Sequence, residues 1–159
     1  MSKIDKPRRA KRLNAKGLVF GIVVSTYNSR MTDALLQGAL AEIERNGGAI
    51  AKQKIARVPG GFEIPLGAKL LLAAGGIDGV ITLGCIMKGE TTHNEYIASE
   101  VTRGIGALAL EYSLPVTFGV LTPDTAEQAL ERSGPGQGNK GAEAARAAIE
   151  MALLKRSLK

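Results

Sequence analysis

The chain has 159 residues, 45% of them hydrophobic, a net charge of +6, one cysteine, one histidine and no tryptophan. That length supports one domain with a real core, and a single cysteine excludes an internal disulfide. No apolar run approaches the roughly 20 residues of a membrane span, and the basic start lacks the apolar stretch of a signal peptide, so no membrane partner is expected.

Residues 1–16 hold seven basic side chains against Asp5 alone, and elsewhere the charges cancel. Residues 1–17 therefore read as a basic mobile arm, and residues 18–159 as the folded domain. Such an arm suits RNA, another acidic surface or plain solvation. With few aromatics to stack bases on, nucleic acid is not expected beyond a role of this arm.

From Leu18 onward, short apolar runs alternate with longer amphipathic ones. Residues 18–25 read as a strand buried on both faces. Met31, Leu35, Leu36, Ala39, Leu40 and Ile43 follow at helical spacing, stopped by Asn46-Gly47-Gly48. Residues 49–58 form a weaker strand pattern. After the turn Pro59-Gly60-Gly61 a helix begins near Glu63, with Pro65 in its first turn where a missing N–H is harmless, and ends at Gly75-Gly76. The third strand spans about residues 79–85 and leads through a polar loop into a long helix over about residues 93–112. Residues 115–121 make a fourth strand. A short helix to Arg132, a glycine-rich turn over residues 134–138 and an alanine-rich helix to about Arg156 complete the chain. Strands alternating with helices predict a parallel four-stranded sheet with helices on both faces, a three-layer α/β/α sandwich.

In such sheets the ligand crevice forms at the strand C-terminal ends. The richest of these loops is Lys88-Gly89-Glu90-Thr91-Thr92-His93. Its N–H groups, hydroxyls and helix start suit a phosphate or carboxylate, or Thr91 or Thr92 simply caps the helix. His93 is either a proton-transfer group, since imidazole titrates near neutral pH, or structural. One histidine argues against a histidine-rich metal site, so no metal is expected. Cys85, among Ile81, Leu83 and Ile86, reads as a packed, reduced thiol rather than a nucleophile, which favours the cytoplasm.

Arg132 and Lys140 flank the glycine-rich turn and either hold anions or face solvent. Residues 136–141 match G-x-G-x-x-G, but they follow a helix where the dinucleotide fingerprint needs a strand, so a nucleotide site is rejected. Tyr27 and Phe118 are read at the ends of the first and fourth strands, as core or as an aromatic wall for a flat heterocycle. Glu63 binds hydroxyls or merely complements a helix dipole.

Taken in order, Tyr27-Asn28, Val58-Pro59-Gly60-Gly61-Phe62-Glu63-Ile64-Pro65, Gly84 through His93, Phe118-Gly119-Val120-Leu121-Thr122, Glu131-Arg132 and Gly138-Asn139-Lys140-Gly141-Ala142-Glu143-Ala144 closely resemble the lumazine synthase family. The resemblance implies a flavodoxin-like fold and two small-molecule substrates, 5-amino-6-(D-ribitylamino)uracil and 3,4-dihydroxy-2-butanone 4-phosphate. They condense to 6,7-dimethyl-8-ribityllumazine, water and phosphate with no cofactor. By position, Tyr27 stacks on the pyrimidine, Gly61, Phe62 and Glu63 bind the ribityl chain, and Cys85, Ile86 and Met87 offer backbone contacts to the ring. Glu90, Thr91 and Arg132 hold the butanone phosphate and His93 transfers protons. Phe118 and Lys140 complete the pyrimidine side from a neighbouring subunit.

The resemblance further implies a homopentamer with active sites between subunits and allows a sixty-subunit icosahedral shell. It makes riboflavin synthase a pathway partner. This chain departs from the family in carrying Tyr27 where phenylalanine or tryptophan is usual, Lys88 for a frequent arginine and Gly61 for alanine or serine. Two rivals share the fold: an archaeal-type riboflavin synthase, and a lumazine- or flavin-binding shell scaffold.

Overall fold

A computed structural model describes residues 11–136 and 138–159. Residues 1–10, most of the expected arm, and Gln137 in the glycine-rich turn lie outside the described residues. The elements run β1 (Val19–Ser25), α1 (Ser29–Arg45), β2 (Ala49–Val58), a 3₁₀ turn (Gly61–Glu63), α2 (Ile64–Ala74), β3 (Gly79–Cys85), α3 (His93–Tyr112), β4 (Val116–Leu121), α4 (Ala126–Ser133) and α5 (Lys140–Ser157).

The four strands form one parallel sheet in the order β2-β1-β3-β4. Alternation along the central strands sends Phe20, Ile22, Val24, Ile81, Leu83 and Cys85 into one core with α1 and α5, while Val23 and Val80 join a second core with α2 and α3. Both faces of β1 and β3 are thus covered, which is why their sequences are continuous apolar runs rather than alternating ones. Each fully buried Ile, Leu or Val contributes about 1.5–3 kcal/mol.

Residues 11–17, assigned above to the arm by charge, pack against the domain. Leu13 N donates to Asn46 Oδ1 at 2.7 Å and Ala15 N to the Asn46 carbonyl at 2.8 Å, with Ala15 fully buried. Arg146 Nη2 also donates to the Lys11 carbonyl at 2.9 Å. The cause is apolar: Leu13 and Ala15 cover the α1 and α5 core, and charge counting overlooks two such residues in a basic stretch.

The layers α1 and α5 approach closely through small residues. A Cβ on Gly141 would collide with the Leu35 carbonyl oxygen. Asn139, almost completely buried, donates to the carbonyls of Ala34, Ser133 and Gly134 and accepts from Ala142 N. The α4–α5 turn is thereby pinned to α1.

Strand order decides where a ligand fits. The chain leaves β1 toward β2 on one side, then returns across β1 to build β3 and β4 on the other, so the connections diverge between β1 and β3. That divergence leaves a crevice beyond the strand C-terminal ends.

Candidate active site

A cavity of about 870 Å³ occupies that crevice, lined by residues 27–28, 60–63, 85–89, 91, 93–94 and 96–97. Its size falls in the range of small-molecule sites. The walls come from the loops after β1, β2 and β3 and from the first turn of α3.

One end presents free hydrogen-bond donors. The loop between β3 and α3 is exposed, and of its amides Lys88 N is used internally, donating to the Pro123 carbonyl at 3.1 Å. Among the described residues, the amides of residues 89–92 and of Asn94 have no hydrogen-bond partner. Thr92 stands at the cap position of α3 without a side-chain cap bond. Thr91 Oγ1 only accepts a long, 3.4 Å bond from His93 N. The helix start therefore leaves these donors open next to the positive end of the α3 dipole, an arrangement that suits an anion. Lys88 adds a cation to the lining and has no ion-pair partner among the described residues.

The other end suits a flat heterocycle with a hydroxylated tail. Tyr27, Phe62 and Tyr96 line the cavity although 72%, 59% and 74% of their surfaces are exposed. Large aromatic faces left open inside a cavity are stacking surfaces without a partner. Glu63 sits beside Gly60, with Oε2 3.3 Å from where a Cβ on that glycine would be, and forms no ion pair among the described residues. Along residues 85–88, Cys85 O accepts from Asn28, and Ile86 N donates to Leu121 O at 2.8 Å. The amide of Met87 and the carbonyls of Ile86 and Met87 remain free among the described residues as a donor and acceptor edge.

Cys85 meets the cavity while its thiol belongs to the α1 and α5 core. Burial pushes that thiol up to about 11, so it stays protonated and is no nucleophile at neutral pH. Among the described residues no group of three or more His, Cys, Asp or Glu side chains could hold a metal ion, and no helix is long and apolar enough to cross a membrane.

One chain thus brings together Tyr27, Gly61, Phe62, Glu63, Cys85, Ile86, Met87, Thr91 and His93. It does not bring Glu90, Phe118, Arg132 or Lys140 into the lining. Phe118 is not at a strand end but is the third residue of β4, because the strand continues through Gly119, Val120 and Leu121 paired with Leu83, Gly84 and Cys85. As a residue of an edge strand it is 43% exposed. Arg132 Nη1 donates back to the Gln128 carbonyl of α4, and Lys140 pairs with Glu143 in the first turn of α5. Both belong to the layer opposite α2 and α3. Glu90 is exposed in the loop, outside the cavity wall. Asn28 and Tyr96 are lining residues to which the sequence alone gave no role. Tyr96 was legible, since it lies three residues after His93 and so on the same helix face.

The chain matches the family described as 6,7-dimethyl-8-ribityllumazine synthase over residues 17–156. A protein of that name from Aquifex aeolicus (strain VF5) is 50% identical over 148 residues, covering 93% of this chain and 96% of the relative. The chain belongs to the 6,7-dimethyl-8-ribityllumazine synthase family. Its parallel α/β architecture is that of a member of this family, and its reaction is a step of riboflavin biosynthesis.

Proposed function

We propose that the crevice between β1 and β3 joins 5-amino-6-(D-ribitylamino)uracil to 3,4-dihydroxy-2-butanone 4-phosphate. The observation that carries this reading is the two-ended cavity, with unpartnered amides at residues 89–92 and open aromatic faces beside Glu63. The pyrimidine stacks on Tyr27, its polar edge meets the backbone of residues 85–87, and its ribityl hydroxyls reach residues 61–63. Thr91 and its neighbouring amides hold the phosphate.

The 5-amino group of the pyrimidine attacks the ketone and one water leaves as the imine forms. Phosphate is then eliminated to give an enol that tautomerises to a carbonyl, and the ribitylamino nitrogen adds to that carbonyl with loss of a second water as the ring closes. Holding two substrates in line supplies most of the acceleration, on the order of 10⁵ M or more in effective molarity. His93, at the helix start beside the phosphate loop, moves the protons of imine rearrangement and phosphate departure, adding roughly 10²- to 10⁴-fold.

Phe118, Arg132 and Lys140 act in the site of another copy, because their own chain holds them away from its cavity. A homopentamer with shared sites satisfies this, as a head-to-tail contact closing into a ring. The exposed stripe Phe62, Leu66 and Leu70, at helical spacing from the cavity rim along α2, is apolar surface for such a contact. The same ring allows a sixty-subunit shell, and riboflavin synthase, which consumes the product, is the pathway partner. We infer a cytoplasmic enzyme, since a lone buried thiol needs no oxidising compartment.

Co-expression of His93→Ala chains with Arg132→Ala chains tests the shared site. If each site takes His93 from one copy and Arg132 from the next, random rings restore about a quarter of the sites to full composition. Activity then exceeds the mean of the two parent variants. Activity equal to that mean would place both residues in one chain's site and defeat the assignment.

A further inference from the structure

Above the level of Val24 and Leu83 the sheet divides. Registered pairing between β1 and β3 stops at that pair. Beyond it, β1 continues only with β2, through Thr26 N to Val58 O at 2.8 Å and Tyr27 N to Pro59 O at 3.1 Å. The chain after β3 continues only with the β4 side, through Ile86 N to Leu121 O and Lys88 N to Pro123 O. The cavity lies in the split, with Tyr27 on one lip and the edge of residues 85–87 on the other.

Among the described residues one hydrogen bond crosses it. Asn28 Nδ2 donates to the Cys85 carbonyl at 2.8 Å. Asn28 holds the cap position of α1, where an asparagine side chain ordinarily accepts from the helix amides. Here it makes no cap bond, and its backbone is left-handed at φ 59 and ψ 46. For a residue with a Cβ that conformation costs about 1–2 kcal/mol, least for asparagine and aspartate. Both the forgone cap and the unusual backbone aim the amide at Cys85, and strain of this kind gathers where a site is held in shape.

We propose that Asn28 is a positioning residue, a clamp across the split that sets the distance between the Tyr27 ring and the backbone edge of residues 85–87. It thereby governs the fit of the flat ring and leaves the anion loop alone. The role of the ring site rests on the proposed function; the clamp itself rests on the hydrogen-bond geometry.

Asn28→Gly keeps the left-handed backbone and removes the amide, and Asn28→Asp keeps the shape but presents an acceptor to a carbonyl. Steady-state kinetics with both substrates are combined with the labelling rate of Cys85, the single cysteine, by a small alkylating reagent. Loss of one hydrogen bond raises KM for the pyrimidine by about 3- to 10-fold in both variants, with KM for the butanone phosphate close to wild type. Cys85 labelling accelerates by a similar factor as residues 85–88 loosen. A merely structural role would lower the thermal midpoint and weaken both substrates alike, which overturns the proposal. So would wild-type pyrimidine KM together with unchanged labelling in Asn28→Gly. Wild-type protein that turns over neither substrate would overturn the proposed function instead, and Cys85 labelling would still decide the clamp.

Discussion

A methyl group on Gly61 would sit 2.9 Å from Cγ1 and 3.0 Å from Cδ1 of Ile86. The family resemblance leads one to expect alanine or serine at this position, and here Ile86 occupies the space such a side chain would need. Gly61→Ala should turn Ile86 off its preferred rotamer at a cost of about 0.5–1.5 kcal/mol. In an Ile86→Ala background the penalty should vanish. Urea midpoints of the two single variants and the double variant give the coupling, and strictly additive penalties would show that the two residues do not compete.

His93→Ala should lower turnover by roughly 10- to 1000-fold without abolishing it, because proximity carries much of the rate and proton transfer the remainder. The check is kcat at saturating concentrations of both substrates. Unchanged kcat would assign His93 a structural part at the start of α3.

Cys85 gives a pH prediction whose sign follows from burial. Its thiol is raised to about 11, so the reactive thiolate is scarce at neutral pH and grows as pH rises toward that value. Alkylation near neutral pH should be far slower than for an unfolded chain and should climb steadily with pH, while Cys85→Ala keeps its turnover. A labelling rate that levels off near neutral pH would mean an exposed or activated thiol.

Gly141→Ala should be the most damaging of the conservative changes. Its Cβ would meet the Leu35 backbone carbonyl, a clash that no rotamer change relieves, so α1 and α5 must separate. A loss of about 3 kcal/mol or more is expected from overpacking of this kind. Thermal denaturation of the variant measures it, and a midpoint equal to wild type would contradict the packing.

The fold was legible because β1 and β3 are apolar on both faces, which length and composition mark as central parallel strands. The end of α1 was equally readable, since Asn46-Gly47-Gly48 stands where the chain must turn back toward the sheet. The cavity loops were legible from the rule that ligands gather at strand C-terminal ends. Three things were hidden. Charge counting put residues 11–17 in the arm, since the packing of Leu13 and Ala15 depends on which surface the folded chain leaves uncovered. The family resemblance gave Phe118 and Lys140 to a neighbouring subunit, but nothing local marks Arg132 as absent from its own chain's cavity, because that follows from strand order and layer. Asn28 had no role on sequence alone, because its side chain is turned from the start of α1 to Cys85 by the tertiary split between β1 and β3.

The reaction in the crevice meets its most direct test in one assay. Purified protein is incubated with 5-amino-6-(D-ribitylamino)uracil and 3,4-dihydroxy-2-butanone 4-phosphate while fluorescence and free phosphate are followed. The expected result is lumazine fluorescence rising in step with phosphate release. Absence of lumazine from the two substrates, with riboflavin appearing when lumazine alone is supplied, would contradict it.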